Sequence, residues 1–232
     1  MKFAIFHGSP RKGNTYTAVK IFMDQLSKCG EAHFQEFFLP EALPAFCTGC
    51  TVCFSGLHTK CPNTHYTTPI IDAILKADAL IFATPHYGAC SMPASMKNLL
   101  DHLDFFVLHI DPHKELFSKK AFVISTGAGS TAAVKPIKKV LKHWGINRVY
   151  SLGIRLITNA WDAIPQARRE RLEKKLRKSA QRFYNAPKRR PHLSTVFHYH
   201  ISRLLIVKKF IGAGNYPYEN WKEKGYFKKR PF

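Results

Sequence analysis

Met1-Lys2-Phe3-Ala4-Ile5-Phe6-His7-Gly8-Ser9-Pro10-Arg11-Lys12-Gly13-Asn14-Thr15-Tyr16-Thr17 opens the chain and decides the reading of its fold. Residues 3–6 are an apolar run bounded by turn formers, which reads as a buried strand. Gly, Ser, Pro, Arg, Lys, Asn and Thr then crowd into residues 8–15, and helical spacing follows over 16–29. A loop of this composition between a strand and a helix suits an anion. Backbone N–H groups point outward there, the helix dipole favours negative charge, and Ser9, Asn14 and Thr15 add side-chain donors. The same residues also suit an ordinary turn in which Ser and Thr cap the helix.

The kind of anion is narrowed by two missing patterns. The loop is not G-x-x-x-x-G-K-[ST], so it lacks the Lys that reaches a nucleoside triphosphate. Nor is it G-x-G-x-x-G, whose glycines admit a pyrophosphate. Hydroxyls and donors in this number suit a terminal phosphate monoester, the group that FMN carries.

The composition agrees with a folded enzyme-sized body. The 232 residues are 45% hydrophobic, enough for one domain plus an extension with a real core. The apolar stretch after Lys2 is too short for a secretory leader, and no run approaches a spanning helix. A cytoplasmic location is expected, with the six cysteines as thiols or metal ligands rather than disulfides.

Strand and helix patterns alternate along the chain. Further strands are expected over 33–39, 78–84, 120–126 and 148–157, with helices over 69–76, 92–106, 131–144 and 163–184. Central apolar strands separated by helices indicate a doubly wound parallel α/β sheet. Ligands of such sheets bind beyond the strand C-termini, at the topological switch point. Two later loops therefore join the first, Thr84-Pro85-His86-Tyr87-Gly88-Ala89-Cys90-Ser91-Met92-Pro93 and Thr126-Gly127-Ala128-Gly129-Ser130-Thr131. They offer an aromatic side chain and backbone donors, as a flat heteroaromatic ring requires.

Three stretches together carry a resemblance. They are Gly8-Ser9-Pro10-Arg11-Lys12-Gly13-Asn14-Thr15, then Ala77-Asp78-Ala79 ahead of a strand ending Thr84-Pro85-His86-Tyr87-Gly88, then Met96-Lys97-Asn98-Leu99-Leu100-Asp101. Over roughly the first 160 residues the chain resembles the flavodoxin-like NADPH-dependent FMN reductases. The resemblance implies a three-layer doubly wound sandwich with a five-stranded parallel sheet and FMN at its C-terminal edge. It carries the phosphate role onto Ser9, Arg11, Gly13, Asn14 and Thr15. Pro85, His86, Tyr87 and Gly88 would line the flavin ring, with Thr126, Gly127 and Gly129 closing the other side. It also implies NAD(P)H as co-substrate, and a homodimer or homotetramer with the flavin near a subunit interface. No catalytic acid or base is assigned, because the flavin itself carries the hydride chemistry.

Cys47-x2-Cys50-x2-Cys53-x7-Cys61 is the second strong signal. Four thiolates so closely spaced suit one tetrahedral metal or a cubane cluster. The spacing resembles that of iron–sulfur flavoproteins, a branch of the same family, and so implies a 4Fe-4S cluster on Cys47, Cys50, Cys53 and Cys61. Relatives place acidic residues soon after the last cysteine, where this chain has Asn63-Thr64-His65. A zinc site, a redox-active thiol set and a loop over the flavin stay open. Cys29 and Cys90 lie outside the set and are expected as buried thiols.

The net charge of +21 is concentrated late in the chain, where 19 Lys and Arg face 5 Asp and Glu from Ala160 onward. Residues 168–182 read as a solvated helix face. Lys188-Arg189-Arg190 beside Phe183-Tyr184 forms no recognisable nucleic-acid module, so no specific nucleic-acid partner is expected. Residues 1–185 are read as the FMN-binding domain and 186–232 as a basic helical extension. Within it, residues 193–211 suit a membrane surface or a neighbouring subunit. The closing residues 215–226 resemble tails of related reductases, which favours docking on a partner subunit.

The leading function is an FMN-dependent oxidoreductase that takes hydride from NAD(P)H and reduces a small-molecule or protein acceptor. The first rival is an iron–sulfur flavoprotein electron carrier fed by a ferredoxin. The second is a non-enzymatic nucleic-acid or membrane binder acting through the basic tail.

Overall fold

The runs expected as strands all enter one parallel sheet: β1 (Lys2–His7), β2 (His33–Phe38), β3 (Ala79–Pro85), β4 (Lys120–Thr126) and β5 (Arg148–Ile154), in the order β2-β1-β3-β4-β5. The structure, a computed structural model, describes residues 1–88, 91–146, 148–187 and 191–232. The chain steps from β1 out to β2 and then back across β1 to β3. That reversal opens a crevice between the loops that follow β1 and β3.

Side-chain alternation along the strands builds two apolar layers. From β1, Ala4 and Phe6 face one layer, with Leu80, Phe82, Val123, Ile74, Leu99, Leu141 and Trp144. Phe3 and Ile5 face the other, with Ile81, Phe122, Ile124, Phe22, Leu26, Leu176 and Phe183. The first layer is roofed by α3 (Thr64–Lys76), α4 (Ala94–His102) and α6 (Ser130–His143). The second is roofed by α1 (Asn14–Cys29) and α7 (Gln166–Tyr184), which pack on each other. A short helix, α2 (Leu39–Ala42), follows β2, and another, α5 (Lys114–Phe117), precedes β4. The fold is the doubly wound parallel sheet that the strand pattern predicts, in the five-stranded flavodoxin-like form that the resemblance implies.

Several expected boundaries shift. The helix expected from residue 69 begins at Thr64, because Pro69 inside it removes only one N–H and leaves the turn before it intact. The helix expected to run to residue 106 ends at His102, and Asp104–Phe106 tightens into a 3₁₀ turn. The helix expected from residue 163 starts behind Pro165, at Gln166. Its outer face is solvated as expected, while Leu176, Ala180 and Phe183 are buried. Cys29 is half-buried rather than buried, with Sγ 3.8 Å from Nε2 of Gln25. Ala89, Cys90, Asn147 and Lys188-Arg189-Arg190 lie outside the described residues.

Beyond residue 190 the chain forms α8 (Leu193–Ile201), runs on without a break as a π-helix over Ser202–Ile211, and ends with α9 (Tyr216–Glu223). Tyr199, Val207, Trp221 and Tyr226 form a third apolar cluster with Leu108 and Phe117 of the body. Val207 is buried on the body, while Leu193, Phe197, Leu204, Leu205 and Phe210 are exposed.

Candidate functional site

Loops after β1, β3, β4 and β5 surround a cleft of about 440 Å³ at the C-terminal edge of the sheet. Ser9, Arg11, Gly13, Asn14 and Thr15 line one end, with Pro85, His86, Tyr87, Gly88, Thr126 and Gly127 around the rest. Gly129 stands just outside this lining, behind His86. A Cβ on Gly129 would lie 2.3 Å from Nε2 of His86, so the imidazole needs a glycine there. The Gly129 N–H donates to Nδ1 of His86 at 3.3 Å, which leaves the proton of the neutral ring on Nε2. Gly127, at φ +125°, passes close to the His86 backbone and Cβ.

The end of the cleft at α1 carries groups that suit an anion. Gly13 is the N-cap of α1, no side chain caps it, and its first turn carries no acidic residue. The alternative in which Ser and Thr cap the helix is therefore not what the chain does. The open first-turn N–H groups and the positive helix end face the cleft beside Arg11. The loop side chains are spent on shape. Thr15 and Thr126 share a 2.6 Å hydroxyl hydrogen bond, and Nδ2 of Asn14 donates to the Thr158 carbonyl at 2.7 Å. Oδ1 of Asn14 is buried without a partner in the protein. Ser95 donates to the Gly8 carbonyl at 2.8 Å, and a Cβ on Gly8 would lie 3.1 Å from Cβ of Met96. So α4 fixes the start of the loop. Beneath it, Nε2 of buried His7 lies 2.8 Å from Glu36; burial lowers the histidine pKa and the carboxylate opposes that shift.

Sequence reasoning missed the β5 side. Leu156, Ile157, Thr158 and Asn159 also line the cleft. The apolar run predicts strand to residue 157, but β5 stops at Ile154 and the remainder turns over the cleft, leaving Ile157 88% exposed. The rule that ligands sit beyond strand ends would find this loop once the strand is given its true end.

The four cysteines Cys47, Cys50, Cys53 and Cys61 line one small cavity, with Ile71, His58, His102 and Phe105 behind them. Their loop is held by Asn98 on α4. Its Oδ1 accepts from the Cys47 N–H at 3.1 Å, and its Nδ2 donates to Leu43 and Ala45 carbonyls at 3.2 and 2.9 Å. Thr51 (φ +59°), the single described non-glycine residue with positive φ, and Gly56 (φ +77°) flank the 3₁₀ turn Val52–Ser55 that carries Cys53. Burial pushes the Cys53 thiol up to about 11, helped by Cys47, Cys61 and Cys50 nearby. Among the described residues, no three His, Cys, Asp or Glu side chains converge on one point as ligands of a single ion. Four thiols around one cavity are a donor set that suits one tetrahedral metal or a cubane cluster alike.

Also among the described residues, no helix is long and apolar enough to cross a membrane.

Comparison with known proteins agrees with this geometry. An iron-sulfur flavoprotein of Clostridioides difficile (strain 630) is 26% identical over 236 residues, covering 97% of this chain and 99% of that protein. Another, from Archaeoglobus fulgidus, is 24% identical over 232 residues, with 97% and 100% covered. In fold, the chain is similar to the NAD(P)H:quinone oxidoreductase of Methanothermobacter marburgensis, with TM-score 0.60, 14% identity, and 80% and 97% covered. An apo NADH:FMN oxidoreductase gives TM-score 0.58 at 20% identity, with 84% and 92% covered. The profile of the NADPH-dependent FMN reductase family matches residues 1–162, the sheet and all the cleft loops. The chain belongs to that family and is a flavin-dependent oxidoreductase.

Proposed function

We propose that FMN binds in the cleft with its phosphate on the N-terminus of α1 and its ring between residues 85–88 and 126–127. The observation that carries this reading is the uncapped helix end beside Arg11, at one end of a cleft whose other end is lined by Pro85, His86 and Tyr87. Bound FMN supplies the redox chemistry, accepting hydride from NAD(P)H and returning electrons to an acceptor. The chain's residues position and shield. First-turn N–H groups, Arg11 and Ser9 hold the phosphate. The Thr15–Thr126 pair and the Asn14 bond to the Thr158 carbonyl fix the loops relative to one another. Protein purified with FMN should show flavin absorbance near one equivalent per chain and oxidise NAD(P)H. Apoprotein that takes up no FMN would refute the reading.

The same cleft supports a homo-oligomer. Tyr87 and Ile157 are exposed at its lip, where a second copy would cover them and shield the ring. The outer face of the extension, residues 186–232, offers a second apolar surface for a partner subunit. Free cysteines at half-buried and exposed positions suit a reducing, cytoplasmic setting.

A second reading adds a 4Fe-4S cluster on Cys47, Cys50, Cys53 and Cys61, and with it a protein electron partner such as a ferredoxin. The shared cavity of the four cysteines favours it. Iron and sulfide analysis of anaerobically purified protein tests it, about four irons per chain being expected. Iron-free protein with full NAD(P)H turnover would leave the simple reductase.

A further inference from the structure

The extension touches the cysteine loop directly: α9 lies against the Val52–Ser55 turn, with the ring of Tyr216 on Gly56. Tyr216, the first residue of α9, lies over Gly56; a Cβ there would sit 2.2 Å from its Cε2 and 2.5 Å from its Cζ. Gly56 also takes a left-handed conformation, and its N–H closes the turn onto the Cys53 carbonyl at 3.2 Å. The glycine is thus required by the turn and by the ring that covers it.

Behind the ring, α9 is riveted to the body. Asp111 is 4% exposed; its Oδ1 accepts from Nδ2 of Asn220 at 2.8 Å and from Nζ of Lys224, and its Oδ2 lies 3.3 Å from Nε2 of His113. Lys224 also donates to the Pro112 carbonyl at 3.1 Å, Asn220 to Ile110 at 3.3 Å, and the Trp221 indole to Leu108 at 3.1 Å. These bonds anchor one helix along residues 108–112 and leave Tyr216 at its leading edge. Among the described residues, those lining the proposed flavin cleft include none from the extension.

We infer that the C-terminal extension is a clamp that holds the cysteine loop shut, with Tyr216 as its positioning residue on Gly56. Asn98 fixes the loop at Cys47 and Tyr216 fixes it at Cys53, so the donor set is held at two points from separate elements. The purpose assigned to the clamp, keeping four sulfurs around one cavity, rests on the cluster reading above; the contact itself does not.

The test uses full-length, iron-free protein and iodoacetamide, with alkylation at each cysteine followed by peptide mass spectrometry. Tyr216→Ala should speed alkylation of Cys53 by about tenfold or more through local opening of the turn. Tyr216→Phe keeps the ring and loses only the hydroxyl beside Asp111, so its Cys53 rate should stay far closer to wild type than that of Tyr216→Ala. FMN affinity should stay within about twofold in both, since the clamp does not touch the cleft. If Tyr216→Ala does not fold, Asn220→Ala loosens α9 on Asp111 without touching the cysteine turn, and a rise at Cys53 in the same direction is expected. An unchanged Cys53 rate in a folded, FMN-binding variant overturns the clamp. Absence of iron from wild type overturns the cluster reading alone, because these rates are measured without metal.

Discussion

The proposed flavin cleft and the cysteine loop both lean on α4, through Ser95 and Asn98, and are stabilised in different ways. The cleft is assembled from strand ends. Its loops leave a buried parallel sheet, so their positions follow from the ladder and need few extra contacts; Gly8 N–H to the Ala83 carbonyl at 2.8 Å and His86 N–H to the Thr126 carbonyl at 2.8 Å join neighbouring strands at the rim. The cysteine loop has no strand beneath it. It is a long excursion between α2 and α3, built from two 3₁₀ turns and positive-φ residues, and Asn98 and Tyr216 grip it from outside. A site at a sheet edge inherits its geometry from the fold. A site on a free loop must have its geometry imposed, and in this chain the extension is part of what imposes it.

Separating the two regions by mutation is the way to break that comparison. The largest effect is expected from Trp221→Ala. The indole is fully buried between the extension and the body, and its loss should cost about 3–5 kcal/mol in the unfolding of that cluster. Chemical denaturation should then show the extension separating early, with FMN affinity of the remaining fold little changed. Coincident loss of FMN binding would mean that the cleft depends on the extension after all.

Arg11→Ala acts on the other region. Removing one charge-assisted contact to the phosphate should weaken FMN binding by roughly 10- to 100-fold. It should flatten the salt dependence of binding while leaving cysteine alkylation rates as they are. Gly129→Val probes the rim. The added side chain collides with the His86 imidazole and should weaken flavin affinity by about tenfold through overpacking, measured by the same titration.

The smallest effect expected is on pH. The pKa of His143, at the end of α6, is lowered by burial first and then by the charge of His198 across the seam with the extension, with Lys139 adding to it and Asp104 opposing. A histidine whose pKa is lowered on folding stabilises the fold above its unfolded value, about 6.5, and that contribution is lost as the pH falls. Limited proteolysis should therefore clip the extension faster at pH 5.5 than at pH 7.5. Equal rates would show that the seam does not respond to this titration.

Much of the body was legible in the residues themselves. The apolar runs and their helical partners predict the sheet, and the punctuation at Gly8, Pro85 and Gly127 predicts which loops meet. Eleven of the twelve cofactor residues named from sequence line one cleft, and Gly129 stands behind it as the seat for His86. The β5 loop was hidden because Ile154, Leu156 and Ile157 read as one apolar run, and nothing local marks where pairing with β4 ends at Ile154. The role of Asn98 was concealed inside a helical pattern, since a buried Asn that accepts from a distant backbone N–H leaves no periodic trace. Tyr216 on Gly56 joins residues 160 positions apart, which only packing reveals.

The central claim is that the bare N-terminus of α1 is a phosphate seat for FMN. It is tested most directly by titrating apoprotein in parallel with FMN and with riboflavin, which lacks only the phosphate, and following flavin fluorescence. FMN should bind at least about 30-fold more tightly, and Arg11→Ala should erode that preference without affecting riboflavin. Equal affinity for the two flavins would contradict the account.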